Sequence, residues 1–76
     1  MEVQTEQIKI STDFIKLQQL LKFSGAADIG SEAKEMIAEG IVKVNGEVCL
    51  MRGKKLRSGD VAEIQGEDII LRLEVL

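Results

Sequence analysis

Arg52, Lys54, Lys55 and Arg57 fall within six consecutive positions, and Lys43 lies a short way upstream. Side chains of this kind bind phosphate. A guanidinium can clamp two phosphate oxygens at once, and an ammonium acts as a compact point charge. Gly53, inside the run, has no side chain to keep a backbone at a distance. Residues 43–57 carry five basic side chains against Glu47 alone, while the rest of the chain carries five basic and twelve acidic ones. The whole has a net charge of −3 and an isoelectric point of about 4.9. That balance argues against a general nucleic-acid coat. A compact basic segment on an acidic body is instead a charge asymmetry that suits local contact with phosphate. The competing reading of the same run is a solvated surface loop.

Composition excludes several other chemistries. The chain has 76 residues, enough for one small domain with a modest core. It has no His, so there is no imidazole base and no His-ligated metal, and its one Cys, Cys49, can form neither an intrachain disulfide nor a zinc cluster. Trp and Tyr are absent, and two Phe are too few for the aromatic platforms of many single-strand binders. No apolar run is long enough to span a membrane. The acidic, polar start Met1-Glu2-Val3-Gln4-Thr5-Glu6 does not read as a signal peptide. A cytoplasmic location is the expectation, with no cofactor and no metal.

The elements that must position the basic run can be read from periodicity. Residues 3–10 end in the alternating Gln7-Ile8-Lys9-Ile10, a short half-buried strand. Ser11 or Thr12 is placed to cap a helix with Asp13 in its first turn, running to about Phe23. Phe14, Leu17, Leu20 and Leu21 form its core stripe, and Gly25 its C-terminal cap. A second helix starts from Ser31 as N-cap, buries Ala33, Met36 and Ile37, and stops at Gly40. The period then changes to two. Val42-Lys43-Val44 and Glu47-Val48-Cys49 flank Asn45-Gly46, a pair suited to the two positive φ values of a type I′ hairpin turn. Residues 51–57 read as a loop or irregular strand, Ser58-Gly59-Asp60 as a turn, and Val61–Ile64 and Ile69–Val75 as two further strands. The expected order is β-α-α-β-β-β-β. This is an α+β fold, with two helices packed on a small, mostly antiparallel sheet.

The spaced string of Leu17 and Leu21, then Ala33, Ile37 and Gly40, then Val42, Val44, Asn45 and Gly46, then Leu56, Gly59, Asp60 and Val61 resembles the S4 RNA-binding domain, or α-L motif. The resemblance spans about residues 8–66 of a single domain over 1–76. It extends to small stand-alone bacterial S4-like proteins through Gly30-Ser31-Glu32-Ala33-Lys34 and the basic stretch before the Gly-Asp turn. Two positions depart from the family pattern. Lys16-Leu17-Gln18 stands where many members have Arg-Leu-Asp, and Ile29-Gly30 where many have Ser-Arg. Lys34, one helical turn on, is a candidate substitute for the missing base.

The resemblance implies a non-catalytic protein that binds structured ribosomal or transfer RNA through phosphate and shape contacts. Association with the ribosome would follow, and the chain is expected to be a monomer. The candidate RNA-binding residues are Lys16, Lys34, Lys43, Asn45, Arg52, Lys54, Lys55 and Arg57. Asn45 also has a structural reason in the turn, and Asp60 is expected to hold the turn after Gly59. Cys49 reads as a buried inert thiol, Met36 as core, Phe14 and Phe23 as core or boundary residues, and Glu32, Glu35 and Glu39 as a solvated helix face. An alternative from another class is a protein-interaction module. In that reading the C-terminal strand, with Ile69, Leu71, Leu73 and Val75 alternating, is an exposed edge. Catalysis has no His, no plausible nucleophile and no P-loop glycine motif to support it, and the ending Glu74-Val75-Leu76 is not the Gly-Gly tail of a sulfur carrier.

Overall fold

The computed structural model describes residues 2–76. In chain order the elements are β1 (Glu2–Ile8), β2 (Ile15–Lys16), α1 (Leu17–Phe23), α2 (Gly30–Ala38), β3 (Val42–Val44), β4 (Glu47–Val48), β5 (Lys55–Leu56), β6 (Val61–Gln65) and β7 (Ile69–Val75). The α+β class stands. The expected order misses two short strands, β2 and β5, which pair with each other as a separate two-stranded ribbon. The main sheet has the order β1-β7-β6-β3-β4. All of its pairings are antiparallel except β1 with β7, which is parallel.

The core lies between the helices and one face of this sheet. Leu17, Leu20 and Leu21 of α1, with Ala33 and Ile37 of α2, meet Val42, Val44, Ala62, Ile64, Leu73 and Val75. Ala33 is fully buried, so its small side chain lets α2 lie close to its neighbours. Asn45 has φ 51° and Gly46 φ 87°, the conformation the Asn-Gly hairpin requires.

Several expectations are corrected. Helix α1 starts at Leu17, not near Ser11. The Thr12 hydroxyl donates to the Phe14 carbonyl (2.8 Å), closing a local turn, and Ile15 and Lys16 are drawn into the ribbon with β5. Phe14 therefore falls before the helix and outside the core, while Ile15 packs against it. Phe23 is 69% exposed. Helix α2 has Ile29, not Ser31, at its N-cap, with no side-chain capping bond, and Met36 is half-buried. Cys49 is half-buried beyond the end of β4 and donates weakly to the Met51 carbonyl (3.6 Å). The C-terminal strand β7 is not an edge, because β1 covers one side and β6 the other. The edge belongs to β1, whose residues are exposed except Ile8.

Candidate nucleic-acid interface

The basic run is anchored by Leu56, which is fully buried. In the ribbon, Ile15 stands opposite Leu56 and Lys16 opposite Lys55. Side chains alternate along a strand, so burying Leu56 turns Lys55 outward, and pairing turns Lys16 the same way. Directly opposed residues in an antiparallel pair bring their Cβ atoms to about 4.5–5.5 Å. The two ammonium-bearing chains thus rise side by side.

The loop before β5 is tied to the start of α1. The Leu17 amide donates to the Lys54 carbonyl (2.8 Å) and the Gln18 amide to the Arg52 carbonyl (3.0 Å). Helix-start amides have no partner inside the helix, and here the loop supplies it. The Lys54 amide turns back to the Met51 carbonyl (3.1 Å). The loop backbone is consumed in these bonds while Arg52, Gly53 and Lys54 remain exposed.

Phe14 lies beside them. The Lys55 Nζ is 4.8 Å from its ring centroid and the Arg57 guanidinium carbon 5.9 Å. Both are within cation–π range. The ring gives two long cationic chains a common support. Among the described residues the ion pairs are Arg72 with Glu63 (4.0 Å) and Arg72 with Glu74 (3.4 Å). None of the cations around the ribbon and its loop takes part in one.

Asp60 is tied to this surface through the Arg57 backbone, and both its oxygens are used. The Arg57 amide donates to Oδ2 (2.7 Å) and the Asn45 Nδ2 to Oδ1 (3.2 Å). Asn45 Oδ1 in turn accepts from the Val61 amide (3.0 Å). Asp60 holds the turn, as expected, and Asn45 does more than make the hairpin: it ties that turn to the chain following Asp60. The backbone bond from Arg57, then the Asn45 amide, hold the Asp60 carboxyl below its ordinary value of 3.8, with Lys54 and Arg57 adding smaller attractions.

The structure brings Lys16, Arg52, Lys54, Lys55 and Arg57 to one region around the start of α1. Lys34 is exposed on α2, whose first residue is joined to α1 by Gln18 Nε2 donating to the Gly30 carbonyl (3.2 Å). Lys43 is separate. Val42 and Val44 face the core, so Lys43 points from the opposite face of the sheet, across from Glu63. Phe14 is the residue the sequence reading missed. Its place two residues before Lys16 was a signal only if the ribbon, not a helix, was foreseen there.

The two departures from the family pattern touch each other. A Cβ on Gly30 would lie 3.1 Å from Gln18 Nε2, so a larger residue at 30 would crowd the amide that Gln18 places there. Gln18 and Gly30 thus form one matched contact.

The family model of the S4 domain matches residues 8–72, which takes in everything from the end of β1 into β7. A relative, the probable ribosome maturation protein RlbA of Bacillus subtilis (strain 168), is 44% identical over 59 residues, covering 78% of this chain and 83% of the relative. On the family match and this relative, the chain belongs to the S4 domain family.

Proposed function

We propose that this protein is a non-catalytic RNA-binding protein that acts on structured ribosomal RNA, as a monomer in the cytoplasm, in association with ribosomal particles. One observation carries the reading. Lys16, Arg52, Lys54, Lys55 and Arg57 gather around the start of α1 without an ion-pair partner among the described residues. Holding like charges together is unfavourable in the free protein, and a bound polyanion would relieve it. The S4 family membership and the name of the RlbA relative, a probable ribosome maturation protein, supply the direction.

The recognition proposed is by phosphate and shape. Arg52 and Arg57 clamp phosphates, Lys16, Lys54 and Lys55 neutralise them, and Lys34 extends the surface along α2. Asn45 contributes by fixing the Asp60 turn from which Arg57 departs. The acidic remainder of the chain repels phosphate elsewhere and limits binding to this face.

The test is binding to a structured ribosomal RNA fragment over a salt series, beside a variant with Arg52, Lys54, Lys55 and Arg57 all changed to Ala. Each phosphate contact contributes roughly 0.7–0.9 to the slope of log affinity against log salt. The wild type is expected to show a steep slope and the variant a shallow one with weak binding. Equal binding by both, or equal binding of scrambled single strands at ~150 mM salt, defeats the reading.

A further inference from the structure

The strand β1 is an unpaired edge. The Glu2 amide donates to the Asp68 carbonyl (3.1 Å), and the Leu76 amide to the Ile8 carbonyl (2.8 Å). In a parallel ladder, alternate residues turn their backbone groups to the neighbour. Glu2, Gln4, Glu6 and Ile8 therefore face β7, and Val3, Thr5 and Gln7 direct their amides and carbonyls outward. An edge of seven residues is normally blunted by charged side chains, lysine above all, by proline or by a bulge. β1 has no proline, no lysine and an unbroken register with β7 from Glu2 to Ile8, and its only charges are the acids Glu2 and Glu6, which oppose an acidic strand and not a basic one.

The side chains select what could pair there. Glu2, Gln4 and Glu6 stand in register with Ile69, Leu71 and Leu73, on the helix side of the sheet but exposed. Val3, Thr5 and Gln7 stand in register with Ile70, Arg72 and Glu74 on the other side. Glu67 and Asp68, exposed in the turn before β7, extend the acidic line beyond Glu2. None of these four acids has an ion-pair partner among the described residues. A second copy of β1 would set the acids of both chains along one seam. An incoming basic strand would place its cations against Glu2 and Glu6 and its alternate residues against Val3 and Thr5.

We infer that the free edge of β1 is a docking strand for an extended, lysine- or arginine-rich polypeptide segment, added to the sheet by main-chain hydrogen bonds. Affinity comes from the outward groups of Val3, Thr5 and Gln7, and selection from Glu2 and Glu6. β1 belongs to the five-stranded sheet and the basic ribbon β2–β5 to the other, so the protein would hold RNA and a basic protein segment with different elements.

The experiment uses a fluorescent peptide alternating Lys with Thr and Val, read by anisotropy and by amide hydrogen exchange on the full chain. Saturable binding is expected, with slowed exchange at Val3, Thr5 and Gln7 and no change at Arg52 or Lys54. The same peptide with Glu for Lys is expected not to bind. Glu2→Gln with Glu6→Gln should weaken binding about fivefold, from two cross-strand charge pairs. Thr5→Pro should abolish it, since its amide points outward and its loss leaves the β7 pairing intact. No binding by the wild type, binding without protection of β1, or a dimer joined through β1 in sedimentation each overturns the inference. If Thr5→Pro fails to fold, the Gln variants and the exchange pattern decide.

Discussion

Lys16 and Lys55 stand directly opposite each other in the β2–β5 ribbon, two like charges held in register by the burial of Leu56 beside them. Such a pair opposes folding by a few tenths to about 1 kcal/mol. At Lys55 this is offset by the Phe14 ring, worth about 0.5–1 kcal/mol at an exposed site. At Lys16 no cation–π contact or ion pair among the described residues offsets it. Lys16→Gln is therefore expected to raise stability by about 0.5 kcal/mol while weakening RNA binding. Denaturant midpoints and an RNA titration on the same preparation check both halves. A variant that loses stability along with affinity contradicts the account.

Phe14→Leu keeps an apolar side chain and removes the ring that Lys55 and Arg57 share. RNA affinity should fall about two- to fivefold, because both cations must then be ordered on binding. The salt slope should be unchanged, since no charge is lost. A reduced slope would mean that the ring itself helps set how many phosphates are met.

Lys43→Ala serves as the contrast. It lies on the far face of the sheet from the core, opposite Glu63. Affinity for structured RNA and its salt slope should match the wild type. A drop comparable to that of Arg52→Ala would place RNA on the sheet face instead.

Leu56→Ala should cost about 2–5 kcal/mol, as it empties a fully buried site. In a chain of this size that is a large share of the total stability. Thermal unfolding of the variant measures it, and a loss under about 1 kcal/mol would show that Leu56 does not anchor the basic run.

The Asp60 carboxyl is held below its ordinary value of 3.8 by the Arg57 amide and Asn45. A group whose folded value is depressed stabilises the fold above its unfolded value, and that contribution is lost as pH falls through the folded one. Stability should thus decline on acidification below about pH 4, and Asp60→Asn should flatten part of that decline while lowering stability at neutral pH. Urea titrations from pH 7 to pH 2.5 compare the two. Parallel curves for wild type and variant would remove Asp60 from the account.

How far the fold was legible depends on what each segment's signal was local to. The Asn45-Gly46 hairpin was readable because the residues themselves favour positive φ. Helix α2 was readable from Ala33 and Ile37 at helical spacing, and its stop from Gly40. The start of α1 was not. Ser11, Thr12 and Asp13 are good capping residues, yet Ile15 and Lys16 pair with Lys55 and Leu56, some forty positions away. That competition cannot be seen from residues 11–16 alone. Nor can the parallel pairing of β1 with β7, which turned the expected C-terminal edge into an interior strand.

The chain's own order of residues determined the α+β class, the S4 membership and the presence of one basic run on an acidic body. Those follow from side-chain period, turn chemistry and charge, which are properties of neighbours in sequence. Only the tertiary structure decided which cations meet. It joined Lys16 to Lys55 across the ribbon, set Phe14 under Lys55 and Arg57, and sent Lys43 to the other face of the sheet. The reason is that a site is defined by facing and register. A strand's facing is set by what it buries, and its register by a partner far along the chain.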